Sequence, residues 1–269
     1  MKKSNLFFIG LLGMTLLTFG CQKKTPLMVT GYSVAQAGGG VFFLPLGDPA
    51  AMERLQGIGV EPRSAIKLIS PAPGTTLDSG RVEVRYQIEN FNVGMPEPRQ
   101  HVHVILDNEP YVADYSASGS TVLENVPEGT HTLSVFLARK FHLSLKNPEA
   151  FAMATFHVVK ESSENRPAPD EPMLIYSRPK GEYSQKDGSA DYIMLDFYLR
   201  NVALNESEYR IKVRVNHREP IILTKWEPII LLEKPAPGKY EVLLELIDRS
   251  GNRVPGAFTG TTRTVQIVP

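Results

Sequence analysis

Cysteine is almost missing from this sequence: Cys21 stands alone among 269 residues. A single thiol excludes internal disulfides and any metal site built on paired cysteines. Net charge is missing too, because 29 basic side chains are matched by 29 acidic ones. That balance removes the general reason to expect nucleic acid as partner, so any charge-driven binding needs a local patch. Catalytic signatures are also lacking. The chain has no G-x-S-x-G elbow, no H-E-x-x-H pair and no phosphate-cradling glycine loop. These absences predict a protein that is not an enzyme and carries no organic cofactor. Tryptophan occurs once, at Trp226, and no apolar run approaches the ~20 residues of a membrane-spanning helix.

The N-terminus is a different kind of sequence from the rest. Lys2 and Lys3 precede an apolar run from Leu6 to Phe19. At about 14 residues that run has the length of a signal-peptide core. It ends in Leu17-Thr18-Phe19-Gly20-Cys21. This ending resembles the lipobox of bacterial lipoproteins, where a small residue precedes a cysteine that is diacylated and becomes the new N-terminus. The resemblance implies a signal peptide at 1–20, lipidation of Cys21 by palmitate-type chains, and a membrane anchor. Each acyl chain contributes about 0.8 kcal/mol per buried CH₂, and two or three chains hold stably. Gln22 follows, where aspartate retains such proteins in the inner membrane, so the expected address is the outer membrane of the cell envelope.

From 21 to 62 the chain reads as a tether, with a flexible break at Gly38-Gly39-Gly40 and a short apolar segment, Val41 to Leu44. Asp48-Pro49 predicts a helical turn or two, with Asp as N-cap and Pro at the first helical position. Beyond it, short alternating segments are separated by Gly and Pro, the pattern of strands. An internal repeat is visible. Ile69–Gly74 echoes Tyr176–Gly181, Val82–Asn90 echoes Ile193–Asn201, and Val126–His131 echoes Pro235–Tyr240. Two copies of one module are expected, at 63–160 and 173–269, joined by a polar, Pro-rich linker at 161–172. About seven short strands per copy predict an all-β fold of two tandem immunoglobulin-like β-sandwiches. Tyr240 sits two residues before the core position Val242, as the corner tyrosine of such domains does, and His131 occupies that slot in the first copy.

Residues 66 to 159 resemble small periplasmic immunoglobulin-like modules of bacterial lipoproteins. The matching pieces are Ser70-Pro71-Ala72-Pro73-Gly74, His101-Val102-His103 and Pro127-Glu128-Gly129-Thr130-His131-Thr132-Leu133. The resemblance implies the fold and an envelope location, and it carries no activity.

Five of the six histidines fall in the first copy. His101 and His103 share one face of a strand, roughly 7 Å apart. Alignment of the copies turns them away from the core, opposite Arg210 and Lys212. That spacing suits two ligands of a copper or zinc ion, with a third from a neighbouring strand. His131 is in phase with the core and is expected to make a corner hydrogen bond. His142 lies in a loop and His157 near the end of the last strand. In the second copy, Arg210, Lys212 and Arg214 form an outward stripe continued by His217 and Arg218. Cross-strand pairing with Glu241 and Glu245 accounts for it; a polysaccharide-binding face is the other reading. Trp226 is expected to pack at a corner. The leading expectation is a non-enzymatic envelope lipoprotein whose modules bind or position another envelope macromolecule, a protein partner first of all. The alternatives are a copper- or zinc-binding protein using His101 and His103, and a carbohydrate-binding accessory.

Overall fold

The computed structural model describes residues 27–29, 63–226 and 229–269. The expected signal peptide at 1–20, Cys21, the glycine break, the 41–44 segment and the helical turn expected at Asp48 lie outside the described residues.

A first strand, β1 (Leu27–Val29), precedes two modules. Module one runs through β2 (Ala65–Ser70), β3 (Thr76–Leu77), β4 (Val82–Glu89), β5 (His101–Leu106), β6 (Val112–Asp114), β7 (Ser120–Leu123), β8 (Gly129–Arg139), β9 (Leu143–Ser144) and β10 (Phe151–Val158). Module two runs through β11 (Met173–Arg178), β12 (Gly181–Ser184), β13 (Tyr192–Arg200), β14 (Arg210–Val215), β15 (Ile221–Leu223), β16 (Ile229–Glu233), β17 (Gly238–Ile247) and β18 (Gly260–Val268). In module one a sheet ordered β3-β10-β8-β5-β6 faces a shorter one, β2-β4-β7. In module two β12-β18-β17-β14-β15 faces β11-β13-β16. Strand for strand the two orders are the same. The chain is all-β, a duplicated immunoglobulin-like sandwich.

Period-two alternation builds each core. Val82 and Val84 of β4, Val102 and Val104 of β5, and Leu133 and Val135 of β8 close module one. Leu195 and Phe197 of β13, Ile211 and Val213 of β14, and Val242 and Leu244 of β17 do so in module two. The opening turns also repeat. Gly74 and Gly181 adopt φ of +75° and +68°, a left-handed backbone that glycine takes without the clash a Cβ brings. The corners match as well: His131 Nε2 donates to the Pro127 carbonyl at 2.8 Å, and the Tyr240 hydroxyl donates to the Ala236 carbonyl at 3.0 Å. Both bonds span four residues, so the histidine does the tyrosine's structural work.

Two features depart from the sequence reading. β1 falls within the stretch expected to be an irregular tether, and it pairs in parallel with β15, extending module two's sheet by one strand. The unpaired backbone groups on the edge of β15 supply the reason. The repeat alignment also shifts by one. Both Ser70-Pro71 and Arg178-Pro179 are cis, and strand pairing sets Ser70 opposite Arg85 and Arg178 opposite Asp196. Ser70, rather than Pro71, is therefore the counterpart of Arg178.

The modules pack broadly on each other. The outer face of module one's β5, β8 and β10 is covered by the outer face of module two's β11 and β13. Ile105, Tyr111, Phe136 and Phe151 meet Met173, Ile175, Tyr198 and Phe258 in one apolar cluster. Full burial of a side chain of this size contributes ~1.5–3 kcal/mol. Polar ties frame the cluster. Lys146 Nζ donates to Asp196 Oδ1 at 2.8 Å and to the Phe197 carbonyl at 2.7 Å, and Ser144 donates to Asp196 Oδ2 at 2.8 Å. Arg263 donates to the carbonyls of Ser177 and Asn108. The linker is tied down too, through Ser162 to Thr130 and Asn165 to Thr132.

Candidate metal centre

β5 alternates its side chains, so Val102 and Val104 enter the module-one core while His101 and His103 leave on the other face. That face is where module two docks, and both histidines are fully buried. The outward phase expected from the sequence is met, but water is not what lies outside. A third histidine joins them. His142 ends the short 3-10 turn Lys140–His142 after β8, not a neighbouring strand as expected. Phe141 and His142 there take φ of +64° and +59°, left-handed values that cost non-glycine residues energy and persist where surroundings impose them.

Three ring nitrogens converge. His101 Nε2 lies 2.9 Å from His103 Nε2, which lies 3.3 Å from His142 Nδ1. All three fall within 4.8 Å of one another. The far nitrogens are held from outside. His101 Nδ1 is 3.1 Å from the Arg99 carbonyl, which only accepts, so that nitrogen carries the proton and Nε2 of the neutral ring is bare. His103 Nδ1 is 3.1 Å from Ser177 Oγ, a group of module two. Tyr111 stacks on His103 at 3.7 Å between ring centres, and Tyr115 lies 4.4 Å from His101.

Burial drives the protons off these rings. It lowers His101 to about 4, against the Arg99 carbonyl bond that opposes the shift and with the Arg178 charge assisting. His142 is pushed down to about 2 by burial, then by His101, Arg178 and Lys180. His103 lies well below its ordinary value, through burial first, then because a proton on it would be repelled by protonated His101 or His142 and by Lys180 and Arg178. Three neutral imidazoles are the form that binds a transition metal.

Beside the cluster a cleft of about 620 Å³ opens between the modules, lined among others by Arg99, Tyr111, Tyr115, His142, Arg178 and Lys180. Module one contributes the aromatic wall; module two contributes the two innermost cations.

No family model matches the chain, and no curated protein matches it. Solved structures do. The fibronectin(III)-like modules of Clostridium thermocellum CbhA match at 12% identity over 76% of this chain and 94% of theirs, with a TM-score of 0.28. The central fibronectin-III array of RIM-binding protein matches at 12% over 77% of this chain and 63% of its own, at 0.29. A putative membrane anchored protein from Corynebacterium diphtheriae matches at 10% over 77% of this chain and 59% of its own, at 0.23. Values this low bear on neither function nor module arrangement, and the fold rests on the strand topology above.

The other singled-out residues lie elsewhere. His131 pairs with Asp107 at 2.6 Å and His157 with Thr130 at 3.0 Å, both away from the cluster. In module two Lys212 pairs with Glu245 across β14 and β17. Arg210 donates to the carbonyls of Asp248 and Arg249 at 2.8 and 2.9 Å. Glu241, expected to share the pairing, forms no ion pair among the described residues, because the register sets Leu243 opposite Arg214. Trp226 packs edge-on against Tyr198 at the module boundary and donates Nε1 to the Phe197 carbonyl at 2.8 Å. The sequence left His142 in a loop with no assigned partner, and it gave Ser177 and Arg178 no role beyond their place in the repeat, where Arg178 stood against Pro71.

Proposed function

We propose that this protein is a lipid-anchored, non-enzymatic envelope protein whose paired modules hold one copper or zinc ion on His101, His103 and His142. The carrying observation is the convergence of the three ring nitrogens. Tetrahedral coordination at a metal–nitrogen distance of about 2.0–2.1 Å sets ligand nitrogens about 3.3 Å apart, near the 2.9 and 3.3 Å from His103 Nε2 to His101 and His142, with all three nitrogens inside 4.8 Å. The Arg99 carbonyl and the Ser177 hydroxyl supply the outer hydrogen bonds that metal-bound histidines use to fix their tautomers. Because Ser177 belongs to module two, the ion would also report that the modules are docked.

Titration of the purified full chain with Cu(II) and Zn(II) tests this, beside His101→Ala/His103→Ala and His142→Gln variants. Stoichiometric binding that each variant weakens at least tenfold is the expected result. Equal weak binding by all three proteins would end the metal reading.

The anchor is Cys21, six residues before β1 in the sequence. Six residues span at most about 20 Å, so acylation there would hold the β1–β15 edge of module two near the bilayer. Replacing Cys21 with Ser should release the protein into the soluble fraction; retention on the membrane without lipid would refute the anchor.

A second reading, positioning of another envelope macromolecule, is favoured by the buried apolar interface that joins the two modules. Crosslinking in cells should recover a protein partner, and recovery as an isolated monomer would count against it.

A further inference from the structure

We infer that the cleft beside the histidines is an oxyanion site, in which a carboxylate or phosphate group rests between the guanidinium of Arg178 and the ammonium of Lys180. The reasoning starts from Arg178. Its side chain is 5% exposed, yet among the described residues no carboxylate lies within ion-pair distance of it. One terminal nitrogen donates to the Phe141 carbonyl and the other to the Tyr183 hydroxyl at 3.5 Å, both neutral acceptors, while the buried Nε meets no acceptor at all. Buried charges are ordinarily paired, and arginine is suited to planar oxyanions through its fork of donors.

Lys180 is in the same position. Its ammonium donates to the Tyr111 carbonyl at 2.6 Å and lies 4.0 Å over the Tyr111 ring, again with no carboxylate partner. The charge of Asp196 reaches Arg178, but its carboxylate is already engaged by Ser144 and Lys146. Glu182 and Asp187 also line the cleft, but both are exposed side chains, and Asp187 accepts the Ser189 backbone N–H. Cationic charge therefore outweighs acidic charge in the buried part of the cleft.

The sandwich does not need an arginine at this place. The same turn in module one closes with Ser70, before an equivalent cis proline. The register irregularity between Tyr176 and Arg178 of β11 has its counterpart between Leu68 and Ser70 of β2, so the backbone is alike in the two copies and only the side chain differs. A volume of about 620 Å³ is within the usual range for a small-molecule pocket, and the Tyr111 and Tyr115 rings give a bound anion an apolar wall.

The anion site stands on Arg178 and Lys180 alone; its coupling to the histidines rests on the metal reading. A divalent ion on three neutral imidazoles would add positive charge beside these two cations, which an anion offsets. Metal and anion should therefore bind cooperatively, each tightening the other by the same factor.

Calorimetric titration of the purified full chain tests both levels, with inorganic phosphate and with succinate as separate probes, on metal-free protein and on protein loaded with zinc and desalted. Arg178→Gln and Lys180→Gln are compared, the second because Lys180 is only half-buried and its replacement should lower the melting temperature less than Arg178→Gln does. We expect one site for phosphate, succinate or both, tightened at least tenfold by zinc and weakened at least tenfold by Lys180→Gln. The arm that binds identifies the anion class. No binding of either probe, or equal binding by wild type and Lys180→Gln, overturns the inference. Anion binding without zinc uptake sustains the site and sinks the metal reading; zinc uptake with no anion binding does the reverse.

Discussion

β5 and β14 are the same strand in two copies of one sandwich, and they differ in what covers their outer face. The inner face is alike in both: Val102 and Val104 in one, Ile211 and Val213 in the other. On the outer face β5 carries His101, His103 and Ile105, all fully buried. β14 carries Arg210, Lys212 and Arg214, which stay in or near water and answer to their own module. A sandwich fixes one face of this strand and leaves the other to context. In module one the context is module two, and what would have been a solvated pair of histidines is a buried cluster with lowered proton affinity.

The most severe way to break this contrast is to give β5 the residue of β14. Ile105→Arg places a charge in the apolar cluster with no partner and should cost about 4 kcal/mol or more in urea unfolding. The reciprocal Arg214→Ile should change stability by no more than about 0.5 kcal/mol. Asp196→Ala comes next. It strands the buried Lys146 ammonium, and removal of one partner of a buried pair costs about 3–5 kcal/mol. Equal, small losses from Ile105→Arg and Arg214→Ile would mean that the modules are not docked in solution.

Acid sharpens the comparison further. An unfolded histidine takes its proton near pH 6.5, whereas His101 in the fold does so at about 4. Between those values the unfolded state binds more protons, so stability rises with pH there. The contribution of His101 is fully present above pH 6.5 and is lost as pH falls to about 4, amounting to about 3 kcal/mol at 1.36 kcal/mol per unit. Urea midpoints of metal-free protein from pH 7.5 to 4 should show this slope, flattened in His101→Gln. A slope unaltered by that substitution would remove His101 as its source. The smallest effect belongs to β14: a double-mutant cycle on Lys212 and Glu245 should return about 0.5 kcal/mol, as cross-strand charge pairs near the surface do.

Much of the fold was legible in the sequence because period-two alternation and turn residues are local signals. The repeats at Val82 and Ile193, and at Val126 and Pro235, marked strands that occupy equivalent places in the two sheets. The corner role of His131 was legible for the same reason, since Tyr240 holds its counterpart position four residues after a carbonyl. The facing of His101 and His103 away from the core followed from their phase with Val102 and Val104. Their burial did not, because nothing local to β5 says that β11 and β13 will cover it. His142 had no periodic pattern to place it, since two left-handed residues in a short turn set its direction. Ser177 and Arg178 enter the site from about 75 residues further along the chain.

By itself, then, the sequence determined the duplicated sandwich and the inner faces of its strands. These depend on patterns a few residues long, which short-range sterics and the burial of alternate side chains convert directly into structure. Only the tertiary structure decided that the outer face of one copy would be closed by the other, bringing three histidines and a serine together beside a cleft that Arg178 and Lys180 line. That outcome depends on how two finished surfaces fit together, and surface complementarity across so long a separation has no local signature in the chain.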